Sequence, residues 1–326
     1  MLVSHWVAAG IVLAAVPVAA EQQPSVPAAS PAQAIDTTTV TDEIALGRDL
    51  GDRMTVAVSV AGQGPYRFLV DTGSERTVIS RQLANRLRLD GGQGAILHSV
   101  FGVTGIDTVH IPDLRVSGSK MSVANAPALD ASHIGADGML GTDSLRSQRV
   151  LFDFKAQTMS ITPSSQRPER LDGDTIVVRA KSRRGRLIFT QARVDGHKVT
   201  VIVDTGSQMT IGNLALQKKL ARRNIWAGQG PVEIETVTGE KFNTRLADLD
   251  EVELGGVKLD DMAVVFADAH IFRQLGLKDK PALLLGMNAM RAFDRISIDF
   301  RTRKVRFVLP GTSMRQNVRL AGIGGI

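Results

Sequence analysis

The 326-residue chain has no cysteine. That excludes disulfide staples, thiol nucleophiles, and zinc or iron–sulfur centres held by cysteine. It leaves the compartment open, because a thiol-free protein suits either side of a membrane. Aromatic residues are also scarce, at 4%, with a single tyrosine, Tyr66. A stacking platform for single-stranded nucleic acid would have little to build with. His98, His110, His133, His197 and His270 show neither metal-ligand spacing nor a neighbouring nucleophile, so they read as ordinary surface or loop histidines and no metal is expected. Gly91-Gly-Gln-Gly94 lacks the Lys-Ser/Thr of a phosphate loop and reads as a turn.

What is present is the composition of a globular protein, 43% apolar and 22% charged. The length suits about two domains. The formal charge of +6 raises an anionic partner as a possibility. Two basic runs stand out, Lys181-Ser-Arg-Arg-Gly-Arg186 and Lys218-Lys-Leu-Ala-Arg-Arg223. Both read as solvated faces, the second as the polar side of a helix, and nucleic acid is not expected.

No Asp, Glu, Lys or Arg interrupts the first 20 residues, and Val18 and Ala20 are small residues placed for cleavage after Ala20. Residues 1–20 therefore read as a secretory signal, or, since no Lys or Arg precedes the apolar stretch, as an uncleaved anchor attaching the chain to a membrane through residues 2–20. Either reading makes the protein exported, periplasmic or secreted. Residues 21–45, which open Pro/Ala/Ser/Gln-rich, read as a flexible spacer.

Self-similarity reorganises the rest. Phe68-Leu-Val-Asp71-Thr-Gly-Ser74 recurs 133 positions later as Val201-Ile-Val-Asp204-Thr-Gly-Ser207, and Thr77 recurs as Thr210. Gly92-Gln-Gly94 matches Gly228-Gln-Gly230, and Val103-Thr-Gly105 matches Val237-Thr-Gly239. Met139-Leu-Gly141 with Arg146 matches Leu284-Leu-Gly286 with Arg291, and Val150–Phe154 matches Ile296–Phe300. The order is kept while the offset drifts, as insertions in loops would make it, so the chain is a duplicated domain. The expected first lobe is 46–163, the linker 164–173, the second lobe 174–310 and the tail 311–326.

Each copy reads mostly as strand. Thr55–Val60 alternates before Gly62-Gln-Gly64-Pro65, a hairpin signal ahead of the strand that ends on Asp71. Short helices are expected after Ser80 and after Asn213, both good caps. A carboxylate ending an apolar strand is disfavoured by desolvation, and here the arrangement occurs twice. If the copies pack around a two-fold axis, Asp71 and Asp204 meet across it, hold one proton between them and titrate as a unit. Such a pair can activate a water against an amide: one carboxylate takes the water's proton, and the protonated partner polarises the carbonyl.

The doubled Asp-Thr-Gly-Ser, each followed by an apolar-apolar-Gly strand, resembles the retropepsin-like, retroviral-type aspartic proteases, in an exported bacterial form with two lobes fused in one chain. The resemblance covers about residues 50–310. It implies an all-β fold of two tandem closed β-barrel lobes with short helices, related by a pseudo-two-fold axis. It implies an aspartic endopeptidase acting on polypeptide, without a cofactor, as a monomer carrying both halves of the site. Asp71 and Asp204 would be the catalytic dyad. Thr72 and Thr205 would hydrogen-bond across the lobe junction, Gly73 and Gly206 would shape the loops, and Leu140-Gly141 and Leu285-Gly286 would brace them from behind. Phe101-Gly102-Val103-Thr104-Gly105 and Thr236-Val237-Thr238-Gly239 would be two similar flaps. Ser74 and Ser207 stand where retroviral enzymes usually carry alanine. A hydroxyl donated to the outer carboxylate oxygen would favour the charged form and predicts an acidic to mildly acidic optimum. The alternatives are a peptide-binding module of the same fold without activity, and a basic interaction protein.

Overall fold

The computed structural model describes residues 12–14, 34–36, 54–98, 103–171, 173–183, 185–221, 225–235, 239, 241–311 and 318–320. In the first lobe, Val56–Val60 and Gln63–Val70 form a hairpin turning at Ala61-Gly62. Val56, Val58 and Val60 face inward and Ala57 and Ser59 outward, the two-residue period that a half-buried strand requires. The ring runs from Gly138–Leu140 through Gln63–Val70, Val56–Val60, Thr108–Val116, Ser119–Leu129 and Val78–Ser80. It closes where Val78–Ser80 pairs back to Gly138–Leu140.

The second lobe repeats this strand for strand. Ala282–Leu285, His197–Val203, Arg186–Val194, Lys241–Leu254, Val257–Phe266 and Ile211–Gly212 follow in the same order, and Ile211–Gly212 pairs back to Ala282–Leu285. The fold is all-β with two closed six-stranded barrels. Closure removes the exposed edges that an open sheet would present.

The expected helices are Arg81–Arg86 and Leu214–Leu220. The Ser80 hydroxyl accepts from the Leu83 N–H at 3.1 Å, and the Asn213 Oδ1 accepts from the Leu216 N–H at 2.8 Å. Each such cap contributes about 1 kcal/mol. Leu83 and Ala84 in one helix, and Leu216 and Leu220 in the other, are buried.

The lobes share a five-stranded sheet, in the order Thr158–Pro163, Gln148–Asp153, Arg295–Asp299, Lys304–Val308, Thr175–Arg179. Its central pair sets equivalent strands of the two repeats antiparallel, with Arg149 opposite Asp299 and Asp153 opposite Arg295. Both pairs are ion pairs, at 3.0 and 2.7 Å. That reciprocity is the signature of a two-fold interface, here within one chain. Val150, Phe152, Ile296, Ile298, Val305 and Phe307 are buried on the sheet's inner face.

Two further hairpins follow, the second built on the barrel strand Lys241–Leu254. Ala95–His98 pairs with Val103–Ile106, and Trp226–Glu235 pairs with Lys241–Leu254. Val12–Ala14 lies antiparallel to both Ala95–His98 and Ala34–Asp36. Among the described residues no helix is long and apolar enough to cross a membrane.

Candidate active site

Asp71 follows the strand Gln63–Val70, and Asp204 follows His197–Val203. Each backbone N–H continues a parallel pairing, Asp71 to the Leu140 carbonyl at 3.0 Å and Asp204 to the Leu285 carbonyl at 3.1 Å. The chain then turns so that its own amides face the carboxylate. The N–H groups of Gly73 and Ser74 donate to Asp71 Oδ1 at 2.8 and 3.0 Å, and Gly206 N–H donates to Asp204 Oδ1 at 2.9 Å. Both aspartates are fully buried. Amide donors of this kind stabilise the negative charge that burial opposes.

Glycine is required at the turns for space. A Cβ on Gly73 would stand 2.5 Å from Cγ and both oxygens of Asp204, and a Cβ on Gly206 would stand 2.5 Å from Asp71 Cγ. Each carboxyl group therefore lies over the glycine of the opposite lobe, and the two carboxyls converge on the junction. The two threonines cross beneath them. Thr72 Oγ1 donates to the Val203 carbonyl at 2.8 Å, and Thr205 Oγ1 donates to the Val70 carbonyl at 2.7 Å.

The strands carrying Leu140-Gly141 and Leu285-Gly286 run behind these turns. A side chain on Gly141 would collide with the backbone of Arg76, and one on Gly286 with the backbone of Met209. Thr142 N–H donates to the Ser74 carbonyl and Met287 N–H to the Ser207 carbonyl, both at 2.8 Å. The lobes differ one residue further on. In the first, Thr77 Oγ1 donates to Asp143 Oδ1 at 2.7 Å, with Arg76 3.9 Å from the same carboxylate. In the second, Thr210 Oγ1 donates to the neutral Asn288 Oδ1 at 2.8 Å. Burial pushes the Asp143 carboxyl above its ordinary range, against Thr77 and Arg76, which pull it down.

The serine hydroxyls do not play the part expected of them. Ser74 Oγ donates to the Arg76 carbonyl and Ser207 Oγ to the Met209 carbonyl, each at 2.6 Å. A hydroxyl has one proton, so neither is left to donate to a carboxylate. The contact to Asp71 comes from the Ser74 backbone instead. An acidic optimum therefore loses the argument that the hydroxyls supplied.

Of the expected flap residues, Phe101, Gly102, Thr236, Val237 and Thr238 lie outside the described residues. Val103, Thr104 and Gly105 are in the outgoing strand of the first hairpin. Gly239, between the two strands of the second hairpin, sits so close to the His133 ring of the first lobe that a Cβ would come within 2.6 Å of it.

One residue escaped the sequence reading. Arg186 closes a run read as a solvated face, and Lys181 and Arg183 in that run are indeed exposed. Arg186 itself is fully buried and crosses to the first lobe. Its Nε donates to the Gly73 carbonyl at 3.0 Å and its Nη1 to Glu75 Oε1 at 3.1 Å. Arg53, 133 positions earlier, was the signal that could have revealed it, since the repeat offset carries one arginine onto the other. Glu75 has no charged counterpart: four residues after Asp204 stands Gln208.

A small cavity of about 20 Å³, room for about one water, touches Asp71, Thr205, Gly206 and Gln208. A cavity of about 840 Å³ on the second lobe, walled by His197, Leu214, Lys218 and Asp279, includes neither Asp71 nor Asp204.

Two matching barrels that each present an Asp-Thr-Gly-Ser turn to the other define a two-lobed protein with both turns at the junction. Residues 56–144 and 190–289, more than half of the chain, match the aspartyl protease family model, and the chain belongs to that family. It is similar to the crystal structure of a retropepsin-like aspartic protease from Rickettsia conorii, with 16% identity and a TM-score of 0.29, over 47% of this chain and 100% of that one. No curated protein matches it.

Proposed function

We propose that the protein is an aspartic endopeptidase that hydrolyses peptide bonds in polypeptides with a water activated by Asp71 and Asp204, in a cleft between the lobes. The observation that carries this reading is the crossing of the carboxyls, each lying where the opposite lobe's glycine leaves room. Two carboxyls so placed hold one proton between them at working pH. The ionised member removes a proton from water as the water oxygen attacks the carbonyl carbon, while the protonated member gives its proton to the carbonyl oxygen. In the collapse of the resulting diol one hydroxyl returns its proton to the second carboxylate, the C–N bond breaks, and the proton taken from water goes to the leaving nitrogen. Acid and base are both carboxyl groups of the chain, so the proposed chemistry calls for no cofactor.

The two hairpins, with Gly239 and Gly105, would cover the cleft as flaps. Both halves of the site are in one chain, which supports a monomer. The apolar N-terminal segment supports export to the periplasm or beyond, with attachment to the membrane wherever residues 2–20 are retained.

The test is cleavage of a denatured protein mixture by the purified chain across pH, beside Asp71→Asn and Asp204→Asn. Cleavage that both substitutions abolish, and that a statine-type transition-state analogue blocks, supports the dyad. Cleavage equal in parent and variants would assign the activity to a contaminant. Binding of peptide without cleavage in any of the three would leave a peptide-binding module instead.

A further inference from the structure

The surplus positive charge has no part in the dyad, yet much of it is gathered on one surface. In the inter-lobe sheet Val177 stands opposite Arg306, and Arg179 opposite Lys304. Cross-strand partners share a face, and the alternate residues Val305 and Phe307 are buried, so these four side chains look outward from the molecule. The turn joining the last two repeat-derived strands adds Arg301 and Arg303, both exposed. The Ala180 N–H donates to the Arg303 carbonyl at 2.8 Å, which brings exposed Lys181 alongside.

The carboxylates on this face are committed elsewhere. Asp153 pairs with Arg295, and Asp299, which stands opposite Lys304, pairs with Arg149. Among the described residues, no ion pair is made by Arg179, Lys181, Arg301, Arg303, Lys304 or Arg306. In their midst Val177 is 54% exposed, one of two large apolar side chains so exposed among the described residues.

We infer that this outer sheet face docks on an anionic bilayer surface, with the cations on lipid phosphates and Val177 at the boundary between headgroups and acyl chains. A cluster of six cations around one exposed apolar side chain matches a layer of charge over hydrocarbon. It fits nucleic acid less well, since the face offers no helix for a groove and no aromatic ring for stacking. A second copy of the same face would be repelled. The inference is independent of the peptidase reading, because none of these residues touches the aspartates.

The test is sedimentation of the full chain with vesicles of phosphatidylcholine, with or without a third of phosphatidylglycerol, at ~0.05 M and ~0.5 M salt. The apolar N-terminal segment partitions without regard to lipid charge, so the docking face is read as the component that needs phosphatidylglycerol and disappears at high salt. Each surface cation is worth about fivefold in partitioning. The triple variant Arg179→Gln/Arg303→Gln/Arg306→Gln should therefore lose about a hundredfold of that component. Lys218→Gln/Lys219→Gln, on the helix of the second barrel, should bind as the parent does, and both variants should melt like it. Parent-like binding by the triple variant overturns the inference, as does an equal loss in the helix variant, which would reduce the effect to net charge. Duplex DNA binding that the triple variant loses while vesicle binding persists overturns it in favour of nucleic acid.

Discussion

Thr72 and Thr205 each accept the other's backbone N–H, at 3.0 Å into Thr72 Oγ1 and 3.1 Å into Thr205 Oγ1. Each hydroxyl then passes its own proton to a carbonyl of the opposite lobe, on the residue before the aspartate. Four bonds thus tie together the two turns that carry Asp71 and Asp204, with no water needed between them. The spacing of the carboxyls is set by this buried crossing rather than by the barrels at a distance.

Thr72→Val or Thr205→Val should accordingly cost more than an ordinary hydrogen bond. Either change strands a buried amide and a buried carbonyl, for a loss of about 3 kcal/mol in unfolding free energy. Thr→Ser at either position keeps the hydroxyl and should cost under about 1 kcal/mol. Urea denaturation measures both. A valine variant as stable as the serine variant would show that the crossing contributes little.

Gly73→Ala and Gly206→Ala should separate activity from stability. The new methyl would meet a carboxyl group at 2.5 Å, so the opposite aspartate has to move. A shift of about 1 Å at a reacting group costs on the order of a hundredfold in rate, while overpacking costs about 1–3 kcal/mol. Gly91→Ala is the control, because nothing lies within 4 Å of its would-be Cβ. Peptide cleavage and thermal melting, read together, test the pair. Full cleavage by Gly73→Ala would mean that the carboxyls need not stay where the structure puts them.

The repeat made much of this arrangement legible. An offset of 133 shared by Asp71/Asp204 and Thr77/Thr210, with Gly141/Gly286 following in the same order at 145, implies equivalent folding of both halves, and two equivalent strands ending on aspartate invite a common axis. Ser80 and Asn213 announced their helices because a side-chain acceptor at that position satisfies an amide the helix leaves open. The destination of the Ser74 and Ser207 hydroxyls was not legible. A serine in a turn can donate to a carboxylate or to a carbonyl two residues on, and local backbone geometry alone decides. Arg186 was misread for a related reason. Charge in a basic run suggests solvent, and only the packing of one lobe on the other reveals a carbonyl and a carboxylate waiting for a guanidinium. Asp143 and Asn288 look like a neutral exchange in sequence, yet one places a half-buried carboxylate and the other an amide behind equivalent threonines.

Arg186 should be among the least replaceable cations in the molecule. Its guanidinium is fully buried, and Glu75 is 22% exposed. Arg186→Met removes a donor from the Gly73 carbonyl and the guanidinium from Glu75, for a loss of about 3–5 kcal/mol. Arg186→Lys should not rescue, since a point charge cannot serve the carbonyl and the carboxylate together as a planar fork does. A double-mutant cycle with Glu75→Gln isolates the pair, with an expected coupling of about 1–3 kcal/mol. Coupling near zero would show that the ion pair with Glu75 contributes little beside the bond to the Gly73 carbonyl.

The shared sheet should weaken in acid through Asp299. Burial pushes its carboxyl up, but the Thr302 amide and the Arg149 guanidinium pull it further down, so the net shift is below the ordinary range. A carboxylate lowered in the folded state contributes stability that is fully present above its unfolded value, about 3.9, and is lost as pH falls through the folded value. The parent should therefore lose stability below about pH 4, with the sheet joining the lobes among the affected regions. At neutral pH, Asp299→Asn should be about 3 kcal/mol less stable, because it leaves Arg149 buried without its anion. Its unfolding free energy should also fall less steeply in acid, the titrating group being gone. Replacing both partners, as in Arg149→Met/Asp299→Leu, should recover most of the neutral-pH loss, since no charge is then left buried alone. Urea titrations of the three proteins between about pH 3 and pH 7 decide the matter. Parallel curves for parent and Asp299→Asn would assign the acid sensitivity to other carboxylates and leave this ion pair a matter of register between the lobes.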